Sequence, residues 1–280
     1  MNRTIALLTD FGTSDTYVGV MKAVMSRICP DIRFIDLTHE IPPQNVRQGA
    51  FTLLRNYRFF ASGTIFLVVV DPGVGTPRKA IAAHAGNYYF VGPDNGVLSY
   101  TLSEIKNFSV VELNNTAYQL TPVSNTFHGR DIFSPAAAHL AAGVSLQEFG
   151  SPVERIAQQL TPSFKINLPE ISGQIMFSDH FGNLTTSIGE LRWVNDNQLE
   201  LHPRFGKTIS APIVFTVDKV TITIGDQIIH GIQPQYGNTK KGELLALVDS
   251  GGQLEIALNQ GNAAAHLNAA SGLKVTLQIG

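Results

Sequence analysis

The sequence predicts an N-terminal α/β domain with a mostly parallel central sheet and a C-terminal antiparallel β-barrel domain. In the first half, apolar runs of strand length alternate with segments of helical period, as in a sheet covered by helices on both faces. In the second half, short β-type runs follow one another with turn residues between them, which is typical of a barrel or sandwich. The boundary falls in a proline-containing stretch, so we expect domains at 1–160 and 170–280 with a linker at 161–169.

The elements of the first domain are predicted from apolar runs and from periodicity. The clearest strand is the run from Thr64 to Val70, apolar after its first residue, as expected for a central strand buried on both faces. Ser14 or Asp15 is placed to cap the first helix. The predicted strands are 5–8, 33–37, 64–70, 79–83, 88–91 and 109–113, and the predicted helices are 17–28, 46–57 and 132–142.

The elements of the second domain are short strands bounded by turn residues. Only one short helix is expected there, near residues 262–267. The predicted strands are 173–177, 184–188, 213–217, 220–224, 244–248, 254–258 and 273–279.

Composition and charge exclude several classes of function. The net charge is −2 and no run of Lys or Arg occurs, which argues against nucleic acid or an anionic membrane as partner. Charged residues make up only 15%, against a typical ~25%, which favours a buried interface in an oligomer. Cys29 is the only cysteine, so neither an intrachain disulfide nor a thiolate metal cluster is expected. The first apolar run is too short for a signal peptide or a membrane helix, so we expect a cytoplasmic protein.

Two of the predicted strands end in an aspartate, Asp10 and Asp71. Ligands bind at the carboxyl ends of strands in open α/β sheets, so the two carboxylates indicate a site, although either alone could simply cap a loop. The loop after Asp71 contains Gly73 and Gly75, which permit positive φ and close backbone approach. Arg78 can return to the Asp71 carboxylate, either for catalysis or as a structural ion pair. The loop lacks the lysine-containing pattern of a phosphate cradle.

Three further segments carry candidate site residues. His128 precedes a predicted helix next to a glycine, which makes it the best acid or base candidate among the histidines; the others, His39 included, stand outside any constellation. Asp179 and Asn183 lie in one turn, where Asn183 could contact an adenine edge or merely complete an Asx turn. The amide-rich stretch from Ser250 to 264 could hold a ligand or only connect two elements.

Taken together, these motifs resemble the S-adenosylmethionine (SAM) hydroxide adenosyltransferases, the adenosine-forming SAM hydrolases related to fluorinase and chlorinase. The resemblance covers nearly the whole chain in order. Its motifs are Thr9-Asp10-Phe11-Gly12 with Asp15, Asp71-Pro72-Gly73-Val74-Gly75-Thr76 with Arg78, Gly92-Pro93-Asp94-Asn95-Gly96, Phe127-His128-Gly129-Arg130-Asp131, Asp179-His180-Phe181-Gly182-Asn183, and Leu254-Glu255-Ile256-Ala257 with Asn259-Gln260-Gly261-Asn262-Ala263-Ala264.

The resemblance implies attack of water or hydroxide at C5′ of SAM, which gives adenosine and methionine. It implies Asp71, Arg78 and His128 as the catalytic triad, without metal or cofactor, since SAM is the substrate. It further implies a homotrimer whose active sites lie between subunits. The substrate-binding residues carried over from the family are Asp10, Asp15, Asp179, Asn183, Ser250, Glu255, Leu258, Gln260 and, by a loose alignment, Tyr236.

Other functions remain open at this point. The halogenases resemble this chain but have tyrosine or another non-acidic residue in place of Asp71, and the fluorinase has serine in place of Gly129. A non-catalytic SAM or adenosine sensor would keep the pocket without turnover. Alternatively, several carboxylates with His128 could bind a metal for phosphoester hydrolysis, namely Asp10, Asp71, Asp94 and Asp131.

Overall fold

The computed structural model describes residues 4–206 and 209–280, and the chain forms two compact units that divide between Gln159 and Leu160. The first unit contains a six-stranded sheet in the order β2-β1-β3-β5-β4-β6. Its strands are β1 (Thr4–Thr9), β2 (Arg33–Thr38), β3 (Ile65–Val69), β4 (Ala80–Ala85), β5 (Tyr88–Pro93) and β6 (Phe108–Glu112). Its α-helices are α1 (Tyr17–Ile28), α2 (Val46–Asn56), α3 (Ser99–Ile105) and α4 (Ser134–Ala141).

The sheet of the first unit is mostly parallel, as predicted. Strands β2, β1, β3 and β5 run parallel to one another, whereas β4 is antiparallel to both β5 and β6. The side chains of β3 alternate between two apolar cores: Leu67 packs in one core with Met21 of α1, and Phe66 packs in the other with Leu53 of α2. Both faces of β3 are therefore buried, which explains its unbroken apolar sequence.

The second unit is built around an antiparallel, nearly closed barrel-like sheet in the order β14-β13-β17-β8-β9-β16-β15, with β7 paired to β8. Its strands are β7 (Lys165–Asn167), β8 (Glu170–Ser178), β9 (Leu184–Gly189), β13 (Val220–Ile224), β14 (Gln227–His230), β15 (Leu244–Val248), β16 (Gln253–Leu258) and β17 (Lys274–Ile279). A separate three-stranded sheet consists of β10 (Leu191–Asn195), β11 (Gln198–Leu201) and β12 (Ile213–Thr216), and the helix α5 spans Ala263–His266. The predicted fold class is confirmed.

Several elements were not predicted from the sequence. These are α3, β7, β10, β11 and β14, and β7 lies inside the stretch expected to be a linker. Four of them have five residues or fewer, and β10 buries only Leu191, so the local pattern of apolar residues is weak. The helix predicted at 132–142 begins with a π-helical turn at Gly129–Phe133, before the α-helix Ser134–Ala141.

No helix among the described residues is both long enough and apolar enough to cross a membrane.

Candidate active site

Asp10 and Asp71 follow two neighbouring parallel strands of the first unit. Strands β1 and β3 pair with Thr9 opposite Val69, so both aspartates leave the sheet at the same edge. Asp10 Oδ2 accepts a hydrogen bond from the backbone N–H of Gln44 at 2.8 Å. Asp15, the other acidic candidate in this part of the chain, lies in the exposed turn before α1. The strand-end placement that the sequence predicted is therefore present.

Arg78 returns to Asp71 and binds its carboxylate with two nitrogens. Arg78 Nε lies 2.9 Å from Oδ1, and Nη2 lies 2.5 Å from Oδ2. The side chains of Asp71 and Arg78 are only 5% and 10% exposed. The guanidinium carbon also lies 5.3 Å from the centroid of the Phe133 ring, within the range of a cation–π contact. The pair is bidentate and largely removed from solvent, so its orientation is fixed.

His128 joins the same cluster through Arg78. Its Nδ1 lies 2.7 Å from Arg78 Nη2, and because a guanidinium has only donors, Nδ1 must be the acceptor. The ring is then neutral, with its proton on Nε2. Burial lowers the pKa of His128 and the charge of Arg78 lowers it further, while Asp71 and Asp131 act in the opposite direction, with a net decrease. The structure thus brings together all three residues predicted to be catalytic.

The loop that carries Asp71 packs tightly against the segment that precedes His128. Gly75 has φ +77, and a Cβ at this position would lie 2.4 Å from the backbone oxygen of Asn125. Glycine is therefore required at position 75 both by conformation and by space. The sequence also predicted a positive φ as possible at Gly73. The φ of Gly73 is not positive, so of these two glycines only Gly75 adopts that conformation. The close packing couples the two loops that bear the cluster.

Two buried polar contacts near the cluster were not anticipated. Asp131 is 1% exposed and accepts hydrogen bonds from Ser124 N at 2.8 Å and Arg130 Nε at 2.6 Å, which fixes the loop around His128. Asn95 Nδ2 donates to the carbonyl of Val70 at 2.8 Å, directly before Asp71. Both residues occur in the motifs quoted above. The contact of Asn95 joins residues that are distant in sequence, and that of Asp131 with Ser124 N depends on the loop conformation, so no local pattern revealed these roles.

In the second unit, Asn183 donates hydrogen bonds to the Asp179 carboxylate within the turn between β8 and β9. Asp179 Oδ1 accepts from Phe181 N at 2.9 Å and from Asn183 N at 2.8 Å. Asn183 Nδ2 donates to Asp179 Oδ2 at 3.0 Å, and Asn183 is buried. The Asx-turn interpretation is therefore correct. Contact of Asn183 with an adenine edge, through its remaining amide oxygen, stays a prediction.

An equivalent turn joins β15 to β16, and its aspartate, Asp249, was missed by the sequence analysis. Asp249 Oδ1 accepts from Gly251 N at 2.8 Å and from Gln253 N at 3.0 Å, which repeats the pattern of Asp179. The glycine three residues after each aspartate has positive φ: Gly182 at 87° and Gly252 at 82°. The shared spacing of aspartate, glycine and a following amide was visible in the sequence. Ser250 lies in this second turn and is exposed.

Tyr236 and Glu255 form a second polar contact in this unit. The Tyr236 hydroxyl donates to Glu255 Oε1 at 2.7 Å, and Glu255 is buried. Burial raises the pKa of Tyr236, as do the carboxylates of Glu255, Asp179 and Asp249, so the phenol is neutral. These carboxylates form an electronegative group around a half-exposed aromatic ring. The two remaining candidates lie beyond them, Leu258 at the end of β16 and Gln260 in an exposed turn with φ 54.

A metal site receives no support from the described part of the chain. No group of three or more His, Cys, Asp or Glu side chains there is placed to hold an ion. Of the carboxylates considered for such a site, Asp94 accepts a hydrogen bond from Ala157 N at 2.7 Å and Asp131 is bound by Arg130.

Comparison with known proteins gives a consistent result over nearly the whole chain. Residues 5–150 match the SAM hydroxide adenosyltransferase N-terminal domain, and residues 173–276 match its C-terminal domain. A (R)-S-adenosyl-L-methionine hydrolase from Salinispora tropica is 35% identical over 99% of this chain and 98% of its own length. A crystal structure of an uncharacterized conserved protein from Thermotoga maritima has a TM-score of 0.84 at 34% identity, covering 98% and 99% of the two chains. A fluorinase from Actinoplanes is 27% identical over 99% of this chain and 97% of its own length.

The contact between Arg78 and His128 predicts how His128 titrates. The pKa of His128 in the folded protein lies below the unfolded value of about 6.5. The free energy of unfolding that is linked to its neutral ring is therefore fully present above pH 6.5. It is lost as the pH falls through the folded pKa. Proton NMR should find the His128 midpoint below that of the unfolded chain, and Arg78→Met should move it upward. An unchanged midpoint in Arg78→Met would contradict the contact.

Proposed function

Because the chain belongs to the SAM hydroxide adenosyltransferase family, we propose that it hydrolyses SAM to adenosine and L-methionine. The observation that carries this proposal is the buried cluster of Asp71, Arg78 and His128 at the carboxyl edge of the parallel strands. The substrate is a sulfonium, which is already a good leaving group, so the protein needs to activate and position the nucleophile rather than the departing sulfur.

In the proposed reaction, water attacks C5′ as the C5′–S bond breaks, and the bonding electron pair stays on the sulfur of methionine. Asp71 accepts a proton from the water as the new C–O bond forms. His128 presents Nε2–H, because its Nδ1 accepts from Arg78, so it donates to the water oxygen and stabilises hydroxide character. Arg78 orients both partners. In-line placement of the oxygen behind C5′ supplies much of the remaining acceleration.

We propose that residues of both units bind SAM. Asp10 retains its Oδ1 for the ribose hydroxyls, since Oδ2 accepts from Gln44. The carboxylates around Tyr236 suit a substrate that carries a sulfonium and an ammonium charge. Asp15, Asp179 and Ser250 are proposed to contact methionine and ribose, whereas Asn183, Glu255, Tyr236, Leu258 and Gln260 are proposed to contact adenine. We propose SAM as the small-molecule partner, with neither nucleic acid nor a membrane as a further partner. The protein is cytoplasmic in this proposal, and it uses no cofactor because SAM is consumed as the substrate.

Halogenation is the competing reaction, given the fluorinase similarity. A halide placed about 4 Å from the Asp71 carboxylate would be repelled by ~4 kcal/mol at an effective dielectric of about 20. The Asp71 side chain is nearly buried, which strengthens that repulsion, and the bound Arg78 guanidinium offsets part of it. Water, in contrast, can donate a hydrogen bond to the carboxylate. The geometry therefore favours hydrolysis over halogenation.

The hydrolase relatives are named for the R form of the substrate, which suggests which sulfonium configuration is used. We propose that the R epimer at sulfur is the preferred substrate of this chain as well. The two epimers differ in configuration at sulfur, so discrimination depends on how the site holds the methyl group relative to the adenosyl and methionyl arms.

We further propose a homotrimer in which first-unit residues of one chain and second-unit residues of its neighbour bind the same SAM. Support comes from the family and from the low content of charged residues, 15%. A ring with head-to-tail contacts would satisfy this arrangement.

The reaction is tested with both SAM epimers in water enriched in oxygen-18. Attack by water at C5′ places the heavy oxygen in the 5′ hydroxyl of adenosine, as measured by mass spectrometry. We expect label in adenosine and faster turnover of the R epimer. Release of methylthioadenosine with labelled homoserine, a halogenated product with added halide, or binding without products would each overturn the proposal.

Asp71→Asn tests the role of the carboxylate. The substitution preserves size but removes the proton acceptor, so kcat should fall about 10²-fold or more while SAM still binds. Asp226→Asn, in an exposed turn of the second unit, is the matched control and should leave kcat unchanged. If Asp71→Asn retains most of its turnover, the ion pair with Arg78 only holds the loop.

Mixed oligomers test whether sites are shared between chains. Asp71→Asn and Asn183→Ala proteins should each be nearly inactive when refolded alone. Refolding them together makes about a quarter of the sites whole if each site joins two neighbouring chains at random. Activity of the mixture at or near background, with full recovery of refolded wild type, would contradict shared sites.

A further inference from the structure

His39 holds both ends of the short turn that carries Asp10. It follows β2 in the chain and is 5% exposed. Its backbone oxygen accepts from Gly12 N at 2.8 Å, and its ring Nδ1 lies 2.8 Å from the hydroxyl oxygen of Thr9. Thr9 is fully buried. His39 belongs to no candidate site predicted from the sequence. It nevertheless contacts residues on both sides of Asp10, a substrate-binding candidate.

The two ring nitrogens of His39 make polar contacts with Thr9 on one side and Asp36 on the other. His39 Nε2 lies 3.0 Å from Asp36 Oδ1, at ion-pair distance although away from the ideal hydrogen-bond direction. Because a carboxylate can only accept, Nε2 carries a proton, and in the neutral ring Nδ1 then accepts from the Thr9 hydroxyl. The same Thr9 oxygen accepts from Phe11 N at 3.3 Å. Lys22 Nζ pairs with the other oxygen of that carboxylate, Asp36 Oδ2, at 2.7 Å.

The segment after His39 is also shaped around Asp10. Gln44 has φ 66, a left-handed conformation that costs energy in residues other than glycine. In this conformation its backbone N–H points at Asp10 Oδ2, 2.8 Å away. Gln44 thus contacts the Asp10 carboxylate directly, whereas the His39 ring contacts the residue before Asp10 in the chain, Thr9.

We propose that His39 is the positioning residue for Asp10, acting through Thr9. The inference rests on the proposed function in one respect only, the assignment of Asp10 to substrate binding. His39 itself contacts neither the substrate nor the Asp71 cluster. Loss of the Thr9 contact should therefore weaken substrate binding and leave the chemical step largely intact.

Thr9→Val and Thr9→Ser provide a matched pair for the kinetic test. Valine keeps the shape of threonine without the hydroxyl, whereas serine keeps the hydroxyl. We expect Thr9→Val to raise KM for SAM about tenfold with kcat within threefold of wild type, and Thr9→Ser to restore KM. His139→Gln, a half-buried histidine of the same unit, is the control and should leave KM unchanged. Equal losses in Thr9→Val and Thr9→Ser would contradict the proposal.

Hydrogen exchange gives a readout that does not depend on activity. His39→Asn places an acceptor near Thr9, and His39→Leu removes it. The amides of residues 10–13 should exchange faster in Thr9→Val and His39→Leu than in wild type, and more slowly in His39→Asn than in His39→Leu. No local increase in exchange would overturn the positioning role. If wild type turns over neither SAM epimer, the proposed function fails, while the exchange experiment still decides the role of His39.

Discussion

The guanidinium of Arg78 organises the first unit's site, since it is the only group that contacts both Asp71 and His128 among the contacts described. Burying an ion pair is costly, because desolvation can exceed the attraction between the charges. Here the guanidinium is contacted on several sides. Asp71 binds it in bidentate fashion, the Phe133 ring packs against it, and the acceptor nitrogen of His128 takes one of its N–H groups. The main effect of these contacts is therefore to fix the orientation of the three side chains and the tautomer of His128, rather than to stabilise the fold. The close packing at Gly75 and the hydrogen bonds of Asp131 hold the two loops that carry these three side chains.

The sequence predicted the parts of the site that depend on local pattern. Asp10 and Asp71 follow apolar runs, and parallel strands place their ends at one edge, so the location was accessible from sequence. The fold class followed from the same periodicities. His39 and Asn95 were not accessible in this way, because each contacts a partner brought close only by the tertiary structure. Asp131 was not accessible because its contact with Ser124 N depends on the conformation of their shared loop. Strands β10 and β14 were missed because each buries a single residue, Leu191 and Ile229, so their pattern of apolar residues is weak.

The second unit achieves order differently, through two similar turns. Asp179 and Asp249 each accept two backbone N–H groups of their own turn and leave a glycine with positive φ three residues later. These carboxylates therefore serve as structural acceptors, and they also contribute negative charge around Tyr236. An aspartate such as Asp179 can therefore complete a turn and also contribute negative charge to a binding surface. The structural and the substrate-binding interpretations of the Asp179 turn are compatible.

Gly75 limits how this site can diversify during evolution. Any side chain at position 75 would collide with the backbone oxygen of Asn125, which no rotamer change can relieve, and would also occupy an unfavourable φ. A lineage that exchanges the nucleophile could replace Asp71, whose carboxylate repels anions, by a single substitution. It could not remodel the loop around position 75 without moving the 124–131 segment as well. New chemistry is thus reached more readily by changing the side chains of this framework than by changing its backbone.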